Sequence, residues 1–205
     1  MEICLILKKE KNHNKKIINL LKKNKKIKID IYFSKVGTSV PEKLKKKKYD
    51  FIISYLSAWV LSDKILENTK FSNINFHPGS PKYPGIGCFN FALFNNEKFF
   101  GVTMHEMNTK VDSGKIIKTK YFKIKNMNLL QLIDKTYKDM YLLFKKEMPK
   151  ILKTKKIFYS GEIWKRKAYT RKYFNNFCKL DFNTKPNTII KKIDSIFHPD
   201  YPDPI

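Results

Sequence analysis

Asn73-Ile74-Asn75-Phe76-His77-Pro78-Gly79-Ser80-Pro81-Lys82-Tyr83-Pro84-Gly85-Ile86-Gly87 is the stretch on which the reading of this chain turns. Its first five residues alternate polar with apolar, the period of a strand with one face buried, and the strand runs straight into a proline. Six of the ten residues from Pro78 to Gly87 are Pro or Gly, in a chain with only 9 Pro and 7 Gly, so this loop has an unusually determined backbone. The alternation also puts the Asn75 and His77 side chains on the same side of the sheet, at the carboxyl end of a strand. In open α/β folds that is where ligands bind.

Working outward, the pattern is strand and helix in turn. Ile3 to Leu7 is a continuous apolar run, Ile17, Ile18, Leu20 and Leu21 share a helical face, and Ile27 to Phe33 alternates again. Tyr49 to Leu56 predicts another buried strand and Leu61 to Thr69 a short helix. Beyond the Pro/Gly loop, Cys88 to Asn95 predicts a helix. Gly101 to Met107 and Ile116 to Ile124 predict an antiparallel pair, joined by a connection containing Val111-Asp112-Ser113-Gly114. Leu129, Leu132, Ile133, Tyr137, Met140 and Phe144 mark a long amphipathic helix lying across the sheet, with Pro149 near its end. The expected class is therefore α/β: a Rossmann-like, mostly parallel sheet flanked by helices. The first strand ends in Lys8-Lys9-Glu10-Lys11 where a dinucleotide site would carry Gly-x-Gly-x-x-Gly, which argues against that site. From Phe158 the periodicity breaks up, and the tail from His198 to Ile205, with Pro199, Pro202 and Pro204, is expected to be extended. The expected organisation is a body over 1–155 and a short C-terminal extension over 156–205.

Composition bounds what such a chain does. At 205 residues, with 42% hydrophobic and 14% aromatic side chains, it is not a disordered or collagenous chain, and it buries roughly 70% of its unfolded surface without staples. No apolar run reaches the length of a membrane span, and the opening Met1-Glu2-Ile3-Cys4 has no basic leader, so a cytoplasmic protein with no membrane partner is expected. Cys4, Cys88 and Cys178 match no zinc or disulfide spacing and read as reduced thiols, with no metal expected. The net charge of +25 would ordinarily suggest nucleic acid. Of the 43 cations, however, only Arg166 and Arg171 are arginines; the rest are lysines in runs such as Lys45 to Lys48, spread along the chain with Asn and Ile. Solvated positions written as Lys explain that better than a nucleic-acid footprint, and a general attraction for anionic small molecules remains.

Asn75, His77 and Asp112 bring an amide, an imidazole and a carboxylate within reach of one cleft. With them the chain resembles a known family. Asn75-x-His77-Pro78-x-x-Pro81-x-x-x-Gly85 followed by Val111-Asp112-Ser113-Gly114 is similar to the folate-dependent formyltransferases. The resemblance runs from about Tyr49, through Asp50-Phe51-Ile52-Ile53-Ser54-Tyr55 and Trp59-Val60-Leu61, to Ile117, and more loosely from Met1 to Tyr173. The wording His77 to Gly87, and the stretch from Trp164 to Lys172, are most similar to sugar N-formyltransferases, including those acting on GDP-perosamine. The methionyl-tRNA branch usually has an Arg where this chain has Pro84, and a further C-terminal domain for which the expected organisation leaves no room.

The resemblance implies the formyltransferase fold and transfer of a formyl group from N10-formyltetrahydrofolate to the primary amine of a nucleotide-linked amino sugar, of the 4-amino-4,6-dideoxy type. It implies Asn75, His77 and Asp112 as catalytic residues, and Trp59, Val60, Leu61, Thr109, Val111 and Asp112 beside the folate. Lys82, Tyr83, His105, Arg166 and Arg171 are the candidates for the acceptor side, the two arginines suiting a nucleotide diphosphate. A homodimer built through the C-terminal extension is implied by the same resemblance. Other amines (methionyl-tRNA or glycinamide ribonucleotide), hydrolysis of the formylfolate, and a non-catalytic Lys-rich nucleic-acid-binding protein are the competing readings.

Overall fold

The computed structural model describes residues 1–9 and 13–199. Its centre is one six-stranded sheet in the order β2-β1-β3-β4-β5-β6. Strands β1 (Glu2–Lys8), β2 (Lys28–Ser34), β3 (Tyr49–Tyr55) and β4 (Thr69–His77) are mutually parallel, while β5 (Phe99–Glu106) and β6 (Ile116–Lys123) are antiparallel additions beyond β4. The central strands β1 and β3 are buried on both faces because helices cover both, whereas β2 and β4 alternate apolar with polar residues. On one face Ile3, Leu5, Leu7, Phe51, Ile53, Tyr55, Ile74 and Phe76 pack beneath α1 (Asn14–Lys22) and the long α5 (Leu129–Thr154). On the other, Cys4, Ile6 and Ile52 meet Leu44 of α2 (Glu42–Lys46) and Ile65 and Leu66 of α3 (Asp63–Glu67). A third cluster under α4 (Cys88–Phe94) joins Tyr83, Phe91, Phe100, Leu132 and Tyr169.

Helix α5 starts on a reciprocal cap: Asn128 accepts from the Gln131 N–H, and the Gln131 side chain accepts from the Asn128 N–H. Pro149 lies inside the helix, which runs five residues further to Thr154.

Two differences from the sequence expectation have plain causes. After Phe158 the chain is not patternless but forms α6 (Arg171–Cys178) and α7 (Pro186–Ile196). No α6 residue is fully buried, and α7 buries only Ser195; their apolar stripes are short and lie among lysines and asparagines, so they do not stand out as that of the long α5 does. Helix α2 hides in a run of lysines with Leu44 as its one buried residue. The tail expected to be extended falls largely outside the described residues. No helix among the described residues is long and apolar enough to cross a membrane.

The segment after α5 returns to the body as a strap. Lys165 N–H donates to Pro81 O (2.9 Å), Tyr169 N–H to Pro84 O (2.9 Å) and Ile86 N–H to Tyr169 O (3.0 Å), with Gly85 and Tyr169 forming a parallel bridge. Gly85 has φ 85°, and a Cβ there would lie 2.3 Å from Tyr169 O, so the backbone conformation and the close approach both require glycine.

Candidate active site

Strand β4 delivers Asn75 and His77 on the face opposite Ile74 and Phe76. Its antiparallel register with β5 pairs Asn75 directly with His105, and His77 with Thr103. The β5–β6 connection then brings Asp112 back over these side chains. Asp112 holds φ 43°, a left-handed conformation that Asp tolerates in turns. Gly114, two residues on, passes so close to β5 that a Cβ would fall 1.8 Å from Glu106 O.

The result is a buried polar cluster around one carboxylate. Asp112 Oδ2 lies 3.0 Å from His77 Nδ1 and accepts the Gly85 N–H at 2.8 Å. Its Oδ1 lies 3.2 Å from His105 Nε2 and 3.4 Å from the Asn75 amide nitrogen, which is itself 3.0 Å from His105 Nε2. His77 Nε2 faces the Tyr83 carbonyl at 2.9 Å. Both nitrogens of His77 therefore face acceptors, and only the imidazolium satisfies both. His105 Nδ1 donates to Glu106 O at 2.7 Å, while its Nε2 faces both Asn75 and Asp112.

The electrostatics agree with this geometry. Burial works against a charged His77, but the charge and hydrogen bond of Asp112, with the Tyr83 carbonyl, outweigh it and raise its pKa. Burial likewise opposes ionisation of Asp112, yet the His77 charge and the hydrogen bonds from His105 and His77 hold it well below the usual carboxylate range. The site is thus a buried Asp112–His77 pair in which each partner favours the charged form of the other, with a donor-rich rim. Such a group can stabilise negative charge developing on a carbonyl oxygen and relay a proton. Neighbouring Cys88 cannot serve as a nucleophile: burial pushes its thiol far above the ordinary value, and it donates to Pro78 O.

The remaining sequence candidates divide into groups. His105, placed by sequence on the acceptor side, is inside the cluster rather than at its rim. Trp59 is half-buried against the second core cluster, its indole N–H donating to Thr38 Oγ1 (3.0 Å), and Leu61 belongs to that cluster. Val60 and Val111, in contrast, expose apolar surface (60% and 45%), and Thr109 is exposed on the same connection as Val111. Lys82 pairs with Glu97 at the surface, and the Tyr83 hydroxyl also donates to Glu97 (2.6 Å), so its phenol points into that network and its carbonyl alone serves His77. Arg166 lies over the Tyr169 ring (3.5 Å) and bonds its hydroxyl, while Arg171 opens α6; both are exposed and neither joins the buried cluster.

Sequence gave no role to Trp164, which the strap lays against both imidazoles. The ring centroids are 5.0 Å from His105 and 5.8 Å from His77. Nor did it assign a role to the Gly85 N–H. Each contact joins segments far apart in sequence, Trp164 with His77, His105 and the Gly114 turn, and Gly85 with Asp112.

Comparison with known proteins is consistent with this architecture. A match to the Formyl transferase family covers residues 6–142. The bifunctional polymyxin resistance protein ArnA of Wigglesworthia glossinidia brevipalpis is 33% identical over 186 residues, covering 87% of this chain but only 28% of that protein. The chain therefore spans under a third of that curated relative. Among solved structures, a sugar N-formyltransferase from a Shewanella species superposes with a TM-score of 0.81 at 19% identity, over 98% of this chain and 90% of the other. An N-formyltransferase from Helicobacter canadensis, in complex with folinic acid and dTDP-3-aminofucose, gives 0.76 at 21%, over 99% and 83%. These last two likenesses are of fold.

Proposed function

This chain belongs to the formyl transferase family, and we propose that it transfers a formyl group from N10-formyltetrahydrofolate to the primary amine of a nucleotide-linked amino sugar, a 4-amino-4,6-dideoxy sugar such as GDP-perosamine. The observation that carries the reading is the buried Asn75–His77–Asp112 constellation beside the Pro/Gly loop. Sugar N-formyltransferases among the fold relatives support a nucleotide-linked amino sugar as the class of acceptor.

The residues present fit a folate donor. Val60 and Val111 offer apolar surface on two loops, and Trp59 and Met107, near those loops, pack against one common cluster. Trp59, Val60, Leu61, Thr109, Val111 and Asp112 would line the folate side. When bound, the donor supplies an activated formyl carbon. The chain's own part is electrostatic. Asn75 gives up the longer of its two contacts, 3.4 Å to Asp112, and donates that hydrogen to the formyl oxygen. His77, kept charged by Asp112, adds its positive charge close to that oxygen as negative charge builds there, and its Nε2–H becomes a second donor only on leaving the Tyr83 carbonyl. Asp112 then helps the proton of the attacking nitrogen reach the leaving one. Lys82, Tyr83, His105, Arg166 and Arg171 remain the acceptor-side proposal. For Tyr83 that role falls to the loop that its buried ring anchors, and for His105 to the orientation of Asn75.

The test is incubation with formyltetrahydrofolate and a panel of GDP-, dTDP- and UDP-linked amino sugars, read by mass spectrometry. A product heavier by one formyl group is expected. Silence across the panel with formylation of methionyl-tRNA would move the acceptor to tRNA, and consumption of the donor without any amine would make the protein a hydrolase.

A further inference from the structure

Trp164 reaches the site from outside the sheet. It is carried by the strap after α5, half-buried, and lies edge-to-face with two rings at once: 89° to His105 at 5.0 Å and 72° to His77 at 5.8 Å. Its orientation is fixed twice over. The indole N–H donates to Gly114 O at 2.8 Å, on the turn that presents Asp112, and the next residue along, Lys165, is bonded through its backbone to Pro81 O at 2.9 Å. One side chain thus touches both imidazoles and the turn holding the carboxylate between them. Within the family reading above, we infer that Trp164 is a positioning residue, which walls the His77–Asp112–His105 trio from water and holds the two rings in the orientation that keeps Asp112 bridged between them.

The physical reason is that the bridge is only as good as its isolation. An ion pair shielded from water is stronger than one exposed to it, and an aromatic surface against an imidazolium adds a favourable contact without competing for its hydrogen bonds. The groups facing His77 are Asp112, the Tyr83 carbonyl, Cys88 close by on α4, and His105 through the shared carboxylate. Trp164 is the aromatic side chain in contact with both histidines, and it comes from a segment that supplies no other group to the trio among the described residues.

The experiment compares Trp164→Ala and Trp164→Phe in the full chain. Imidazole N–H resonances of His77, assigned with His77→Gln, report shielding directly by NMR and need no substrate. In the wild type these protons exchange slowly and stay sharp. In Trp164→Ala they broaden through exchange with water, and kcat falls about tenfold or more, while KM for the folate changes less than about threefold. Trp164→Phe keeps the ring, loses the bond to Gly114 O, and recovers most of both signals. Unchanged resonances and kcat in a folded Trp164→Ala would overturn the inference. So would an equal loss in Trp164→Phe, which would leave only a structural anchor. Absence of formyl transfer in the wild type would instead strike the function proposed above, with the resonances still deciding the role of Trp164.

Discussion

At the scale of single residues, Asp112 is the group on which the others depend, since it meets His77, His105, Asn75 and the Gly85 N–H. Asp112→Asn keeps the shape and removes the charge, and it is expected to lower kcat by about a hundredfold to a thousandfold, measured as formylated product per enzyme. The same pair gives stability a pH signature. His77 has a raised pKa, so its contribution is complete below its ordinary value of 6.5 and is lost as pH rises through the folded value. Asp112 has a depressed pKa, so its contribution is complete above its ordinary 3.8 and is lost as pH falls through the folded value. The pair therefore contributes most between about pH 4 and pH 6.5. A scan of Tm against pH should fall on the alkaline side of that window, and the fall should flatten in Asp112→Asn. Asn75 and His77 were legible together from a strand's alternation, whereas Asp112, distant in sequence, joined them through the resemblance of the two motifs to a known family. The position of His105 was not legible, because its meeting with Asn75 follows from the antiparallel register of β4 and β5, which no local pattern states.

At the scale of elements, the glycines of the site are tighter constraints than its hydrophobics. Gly114→Ala would drive a methyl group into Glu106 O, so the β5–β6 connection must shift and carry Asp112 with it. Activity should drop at least tenfold while the far-UV circular dichroism stays native. Helix α5 offers a contrasting prediction that touches stability alone. Asn128→Ala removes one half of its reciprocal cap and should cost about 1 kcal/mol in urea unfolding, with formyl transfer intact. The long helix was readable because its apolar positions recur over 26 residues. Helices α6 and α7 were not, since their half-exposed aromatics and aliphatics lie beside lysines and asparagines; α6 leans on α4 through rings, and α7 is tied to α4 by the Asn90 amide donating to Ser195 O at 2.8 Å. Phe91 stacks on Tyr169 at 4.0 Å and meets Phe177 at 4.7 Å, contacts that join residues far apart in sequence.

For the whole molecule, the charge of +25 sets a field rather than a site. An acceptor carrying a diphosphate should bind with a KM that rises several-fold between low salt and about 0.5 M NaCl, as screening shortens the reach of the lysines. A KM indifferent to salt would mean that the lysines do no more than keep the chain soluble. Layering was visible in advance because apolar or alternating strand patterns recur between helical ones; the strap was not, because its attachment is made by backbone groups common to every residue. That attachment also sets an order of events when the chain is made. Gly85 and Tyr169, which bridge, are separated by 84 positions. A nascent chain leaving the ribosome exposes the Pro/Gly loop long before the strap, so the contacts of Gly85 and His77 with residues up to Asp112 can form first and those with Lys165 and Tyr169 must come last.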